Sequence, residues 1–475
     1  MNSRGLKLNI DTLIAGFLIF AFAIGYGVYI YNLNFDLIDP GYHITALMPP
    51  LFVICYFAFL HRPIMKNKSP FLIIFALVGF MRYVVLSVLT LNAGTFSYIT
   101  KLDPKDSNIR LAGILMCYEL IVCCIAANIA SRKMLNKKEP ERGKRLEGKS
   151  DNVGLYFVFI AIVVVLVALV PSARIGLSFG IDINSADNDD VGSFLVLGIR
   201  ECFVNAKYFL LFATLILLEK YKLRDTTKGY IVVILMCVIV IALRIGSNKK
   251  KMICDAFTCM LILLKMFPKQ RKITVGGLGI FAFVLVFFTA LFRGQATEGN
   301  IFGFLTQYFE LEQAEQYFGG QFNVAIAIEA KAMYGYMISW KTYILHFLRP
   351  MFIIGSLVKK MDFTLLSDIF DIRMSYGLAG HRGDQILVTL GEGYMLYGKI
   401  FAPILSAAAV VLGVWFDKIY KYSNKIEYVF IAAAMAFYCA QVMIFGTTQI
   451  INIITYRMSI YLVVIFINSR VNFRR

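Results

Sequence analysis

Apolar stretches long enough to cross a bilayer dominate this chain. A bilayer core is about 30 Å thick, so a crossing helix needs about 20 mainly apolar residues. No water is available inside that core, so backbone N–H and C=O groups must pair within the protein, and a helix does this for itself. Suitable runs occur at 12–31, 44–60, 70–91, 111–130, 153–171, 194–218, 229–245, 252–267, 274–292, 400–416, 428–446 and 454–469. They predict an all-α polytopic membrane protein with about twelve transmembrane helices. Hydrophobic residues make up 59% of the chain and charged residues 16%. A soluble domain is nearer half and a quarter.

The charges predict an orientation. Lys and Arg collect in the first residues, at 61–69, in the dense basic stretch 132–149, at 219–228, 265–272 and 417–425, and in the tail. Alternating spans bring all of these to one side if both termini are cytoplasmic, as the positive-inside rule requires. The other side carries Asp36, Asp39 and the acidic run Asp182–Asp190. The formal charge of +18 is therefore a membrane signature, and no nucleic-acid partner is needed to explain it.

One turn breaks the rule. R-I-G-S-N-K-K-K at Arg244–Lys251 is expected on the outer side, yet is strongly basic. So is the segment 293–399, which divides helices one to nine (1–292) from helices ten to twelve (400–475). No unbroken run in it is long enough to span, although 324–339 and 342–358 suit interfacial or re-entrant helices. It contains L-F-R-G-Q (Leu291–Gln295), Q-Y-F-G-G-Q-F-N (Gln316–Asn323), F-L-R-P (Phe347–Pro350), G-H-R-G-D-Q (Gly380–Gln385) and L-G-E-G-Y-M-L-Y-G (Leu390–Gly398). Long connecting segments usually carry function. Cations on the outer face point to an anionic partner, unless they pair with carboxylates of the same segment.

Charges inside spans normally face protein. Arg82 and Glu119, midway in helices three and four, are expected to pair. Asp255 is expected to meet Lys251 at four-residue spacing. Arg200 and Glu201 lie in the outer half of helix six. The 9 cysteines fall in or beside apolar runs and read as small buried hydrophobes, and the 4 histidines are scattered. No metal site is predicted. Nucleotide-hydrolysis, zinc-protease and serine-hydrolase motifs are absent from the sequence.

The layout, the G-S-N-K turn, the long outer segment and the blocks quoted above resemble the Wzy family of O-antigen and capsule repeat-unit polymerases. One departure is Asn248–Lys249, where the family often has Arg. The resemblance implies a GT-C-like glycosyltransferase of the bacterial inner membrane, multi-pass, with its active site facing the periplasm. It implies undecaprenyl-pyrophosphate-linked glycans as substrates, en bloc transfer with undecaprenyl pyrophosphate as leaving group, and no cofactor. Membrane lipids and a chain-length regulator are the further partners. Arg holds phosphate bidentately and keeps its proton, so Arg293, Arg349 and Arg382 are expected catalytic cations. Lys249, Lys250, Arg244 and Arg457 are the expected pyrophosphate ligands. His381 is the favoured general base, ahead of His346 and Glu392; Glu392 could also bind sugar hydroxyls or cap the helix that follows. An O-antigen ligase, a polysaccharide flippase and a structural subunit of the assembly system are the alternatives.

Overall fold

The computed structural model describes residues 21, 24–29, 31–33, 35–96, 102–135, 153–174, 177–179, 194–223, 226–245, 249–271, 273–277, 311–351, 354–358, 361–376 and 386–470. Five helices among them are long and apolar enough to cross a membrane: α1 (Pro40–Asn67), α2 (Pro70–Ala93), α3 (Asp106–Met134), α5 (Phe194–Lys220, apolar from Gly198) and α15 (Thr447–Arg470). Shorter apolar helices stand beside them: α4 (Gly154–Leu169), α6 (Thr227–Ala242) and α14 (Ile426–Ala440). The helix α7 (Lys249–Met266) follows α6. A bent pair, α12 (Thr389–Phe401) and α13 (Ile404–Tyr422), makes a sixth crossing if counted as one. The expected runs at 12–31 and 274–292 lie mostly outside the described residues. The protein is thus a helical bundle of membrane-spanning character. One small addition to the expected all-α fold is a two-stranded antiparallel ribbon, β1 (Leu177–Phe179) with β2 (Leu243–Ile245).

The local signals explain the helix ends. Ser69 caps α2, accepting from the Leu72 amide at 3.1 Å, and Pro70 supplies the pre-set first turn. Gly94 follows the last turn of α2 at φ 77°, where a side chain would be strained. The helix α3 has Asp106 in its first turn and Arg132 and Lys133 in its last, which suits the helix dipole.

Consecutive helices run antiparallel, and cross-contacts mark one common end. Tyr422 Oη donates to the Leu135 carbonyl at 2.7 Å, and Lys265 donates to the Ser423 carbonyl at 2.8 Å. Tyr156 Oη donates to Glu427 at 2.9 Å. Lys66, Lys133, Lys220, Lys228, Lys265, Lys418 and Lys425 all fall at that end. Isoleucines, valines and phenylalanines such as Ile54, Leu77, Val165 and Phe466 face outward along the helices, as a lipid-facing wall requires.

Halfway along the bundle, Arg82 and Glu119 form the expected ion pair, 2.9 Å apart and fully buried. Tyr83 Oη donates to the same Glu119 oxygen at 3.1 Å, and Ser406 of α13 donates to the other. A single π turn, Met81–Val85, interrupts α2 here and holds both Arg82 and Tyr83. Glu119 lies about 22 Å from the Met134 end of α3 at 1.5 Å per residue. The remaining guanidinium N–H of interest, Arg82 Nε, donates to the Gly319 carbonyl at 3.1 Å.

That contact brings the long segment into the bundle. Short α8 (Leu311–Phe318) turns at Gly319 and Gly320 into α9 (Gln321–Tyr334). Gly319 has φ 55°, and a Cβ on it would collide with Val388; a Cβ on Gly320 would collide with Glu315. Gln321 donates to the Gly41 and Ile109 carbonyls at 3.0 and 2.7 Å and accepts from Thr45 at 2.5 Å. Every residue from Gln321 to Ala330 is buried. The stretch expected to be interfacial or re-entrant is therefore re-entrant, packed along the outer half of α3.

A second buried pair corrects the reading of Asp255. Its carboxylate receives Lys207 Nζ of α5 at 2.8 Å and Tyr208 Oη at 2.5 Å; the Lys251 side chain is outside the described set. Lys207 also donates to the Val240 and Leu243 carbonyls, at 2.6 and 2.9 Å. It thereby closes the end of α6 and ties it to α7.

Removing one partner of a buried pair strands the other charge, at about 3–5 kcal/mol. Arg82→Ala should lower the melting temperature of detergent-purified protein sharply, and the double change Arg82→Met with Glu119→Leu should cost less than either single truncation.

Candidate functional site

The polar site lies at the end of the bundle opposite the lysine-rich turns. It is built from α10 (Trp340–Leu348), α12 and the first turn of α15. A capping box between Ser339 and Thr342 starts α10. Its sequence is two-faced: Trp340 is 73% exposed and Ile344 53%, whereas Thr342 and His346, four residues apart, are buried. Exposed Trp and Tyr on such a helix suit the membrane–water interface.

The block L-G-E-G-Y-M-L-Y-G is α12, and its glycines have separate jobs. Gly391 lets α9 approach, since a Cβ there would stand 2.9 Å from Ala327 Cβ. Gly393 faces the Ala402 carbonyl oxygen with no room for a side chain. Gly398, at φ 78°, begins the reversal that ends in the 109° bend into α13. The chain then passes α3, where Tyr118 Oη donates to the Ile400 carbonyl at 3.1 Å. At the start of α12, Thr389 donates both its amide and its hydroxyl to the Phe445 carbonyl, at 3.0 and 2.5 Å. That fixes α12 against the entry to α15.

Glu392 sits one turn further on and is 1% exposed. Its Oε2 accepts from the Thr447 amide at 2.7 Å and from the Thr447 hydroxyl at 2.5 Å. The carboxylate therefore caps α15, where the helix dipole favours an anion. The expectation that it caps the next helix in sequence is corrected: the helix it caps begins 55 positions along the chain. Its Oε1 stands 3.5 Å from Nε2 of His346. His346 is 1% exposed, and its Nδ1 has no hydrogen-bond partner.

Arg349 ends α10, three residues after His346, and is half-buried. No carboxylate among the described residues pairs with it. The adjoining Pro350 carbonyl is 3.5 Å from the Thr455 hydroxyl of α15. Arg457 is two positions beyond Thr455 on that helix. The side chains of Arg457, Arg244, Lys249 and Lys250 are outside the described set, and Arg293, His381 and Arg382 lie outside the described residues altogether. Of the expected site, Glu392 and Arg349 are therefore brought to one region. His346, ranked behind His381 from sequence, joins them; its ring lies 46 positions from Glu392, so no local pattern links the two.

Another of the segment's cations is spoken for. Arg373, on α11 (Leu366–Met374), is fully buried and donates from Nε to Glu329 Oε2 at 3.0 Å and from Nη2 to the Leu102 carbonyl at 3.0 Å. Glu329 also accepts from the Lys105 amide at 2.8 Å and from Asn108 at 2.9 Å. This cluster clamps α9 and α11 to the start of α3. Lys331, two residues on, lies over the Tyr394 ring at 5.3 Å and donates to its carbonyl.

No family model matches the chain, and neither does a curated protein or a solved structure.

Burial opposes ionisation of Glu329, but the hydrogen bonds from Asn108, the Lys105 amide and Arg373 outweigh it and hold the carboxyl below its ordinary range. A depressed carboxylate stabilises the fold above its unfolded value and loses that contribution as pH falls through the folded one. Melting temperature should therefore fall between pH 6 and pH 4. In Glu329→Gln, which cannot ionise, that part of the acid-side fall should be missing.

Proposed function

We propose that the chain is a polysaccharide polymerase that joins undecaprenyl-pyrophosphate-linked oligosaccharide units on the outer leaflet of a bacterial inner membrane. The observation that carries this reading is Arg349: a half-buried guanidinium without a carboxylate among the described residues, on an aromatic-rich surface helix, next to a buried histidine–carboxylate pair. Such a cation suits a phosphate that arrives at the membrane–water interface on a lipid.

The chemistry is an exchange of one glycosidic bond for another. A hydroxyl of the acceptor glycan attacks the anomeric carbon of the donor, forming a new C–O bond. The bond from that carbon to the pyrophosphate oxygen breaks, and its electron pair leaves with undecaprenyl pyrophosphate. The hydroxyl proton goes to a base. Charge builds on the departing oxygen, and preorganised cations in a site shielded from water stabilise it. Arg349 takes that role here, with Arg293, Arg382, Arg457, Arg244, Lys249 and Lys250 as the further candidates. Fixed cations make a divalent metal unnecessary in this scheme. The basic turns then face the cytoplasm, and the twelve-span, GT-C-like layout belongs to the same proposal.

Surface glycan gels test it. In a deletion strain of the native host, the ladder should collapse to core plus one unit, and the wild-type gene should restore it. A gene carrying Arg349→Ala should leave the single-unit band at normal protein level. Loss of even that band would point to a ligase or flippase, and an unchanged ladder would sink the polymerase reading.

A further inference from the structure

Resting on the polymerase reading, we infer that His346, rather than His381, takes the proton from the acceptor hydroxyl, and that Glu392 positions it. A general base needs three things: a nitrogen free to accept, a neighbour that fixes the ring, and shelter from bulk water. His346 has each. Its Nδ1 is buried without a partner, and a buried polar atom left unsatisfied is costly unless something fills the gap. Its Nε2 faces Glu392 Oε1 at 3.5 Å.

Glu392 cannot swing away to act on substrate itself. Its other oxygen is fastened to the amide and hydroxyl of Thr447. Behind it, a Cβ on Gly446 would lie 2.5 Å from Oε1, so the backbone of the α15 entry presses against the carboxylate. One side chain thus closes the α15 entry and holds an imidazole. As Nδ1 accepts the hydroxyl proton, the imidazolium gains a fixed anion at Nε2, and the charge formed is stabilised where it forms. This is the base–orienter arrangement met in other hydroxyl-activating enzymes.

Access to the ring is through its own helix. Among the described elements α10 packs chiefly on Ile354–Val358 and α15, and its outer face is bare. A small outward shift of α10 uncovers Nδ1 next to Arg349, the cation proposed for the leaving group. Proton acceptor and charge stabiliser then sit three residues apart on one helix, near each other on its surface.

The test uses full-length protein in detergent and the lipid-linked glycan extracted from the deletion strain as both donor and acceptor. His346→Ala should slow single-turnover lengthening by roughly 10²–10⁴-fold, the usual worth of general base catalysis. KM should stay within a few-fold, and added imidazole should restore part of the rate. Glu392→Gln, which can still accept from the Thr447 amide, should lower kcat without raising KM. Should His346→Ala fail to fold, His346→Asn replaces it, with the same loss expected. A wild-type rate in the His346 variant overturns the proposal and leaves the polymerase reading standing. So does a lost rate that imidazole does not restore together with a wild-type Glu392→Gln. Wild-type protein that lengthens nothing overturns both.

Discussion

The interior of this bundle depends on one buried ion pair. Arg82 and Glu119 are both sealed from solvent, and taking two charges out of water costs several kcal/mol each unless further hydrogen bonds meet them. Here Tyr83 and Ser406 complete Glu119, and the Gly319 carbonyl takes Arg82 Nε. Four separate parts of the chain therefore meet at one point: α2, α3, the α8–α9 turn and the start of α13. None of these groups is satisfied if any one leaves. The pair does not need to add net stability to matter. It makes one arrangement of a largely apolar bundle much cheaper than the alternatives, which apolar packing alone discriminates poorly.

From that point the site follows. The re-entrant turn sends α9 back along α3, where the Glu329–Arg373 pair clamps it together with α11. The Gly391 contact then seats α12 against α9, and α12 carries Glu392 to the entry of α15. His346 arrives separately, on an amphipathic helix with its other face bare. The candidate site is thus mounted on buried helices on one side and on a surface helix on the other. That division suits a site that must hold catalytic groups rigidly and still admit a lipid-borne substrate.

Much of this was legible in the residues, and the failures share a cause. Arg82 and Glu119 stood out because a charge in mid-span needs a partner, and neighbouring hairpin helices supply one. Gln321–Ala330 read as apolar enough to be re-entrant, and it is. Asp255 was paired with Lys251 by the four-residue helical rule, but a lysine one helix away has the printed contact at 2.8 Å. Lys207 gave no signal of its own inside an otherwise apolar run. Glu392 looked like a group in an exposed glycine-rich block. Its glycines serve close packing and a chain reversal, and its carboxylate caps a helix that begins 55 positions along the chain. Periodicity and local spacing report which face is buried; they do not report which distant element covers it. The meeting of His346 with Glu392 is of the same kind.

The most direct measurement is product stoichiometry in proteoliposomes holding the purified protein and the lipid-linked glycan from a deletion strain. On the polymerase account, one undecaprenyl pyrophosphate is released for each repeat unit added, and products lengthen in unit steps. Movement of the glycan across the membrane without release of undecaprenyl pyrophosphate, or no reaction with either lipid, would contradict it.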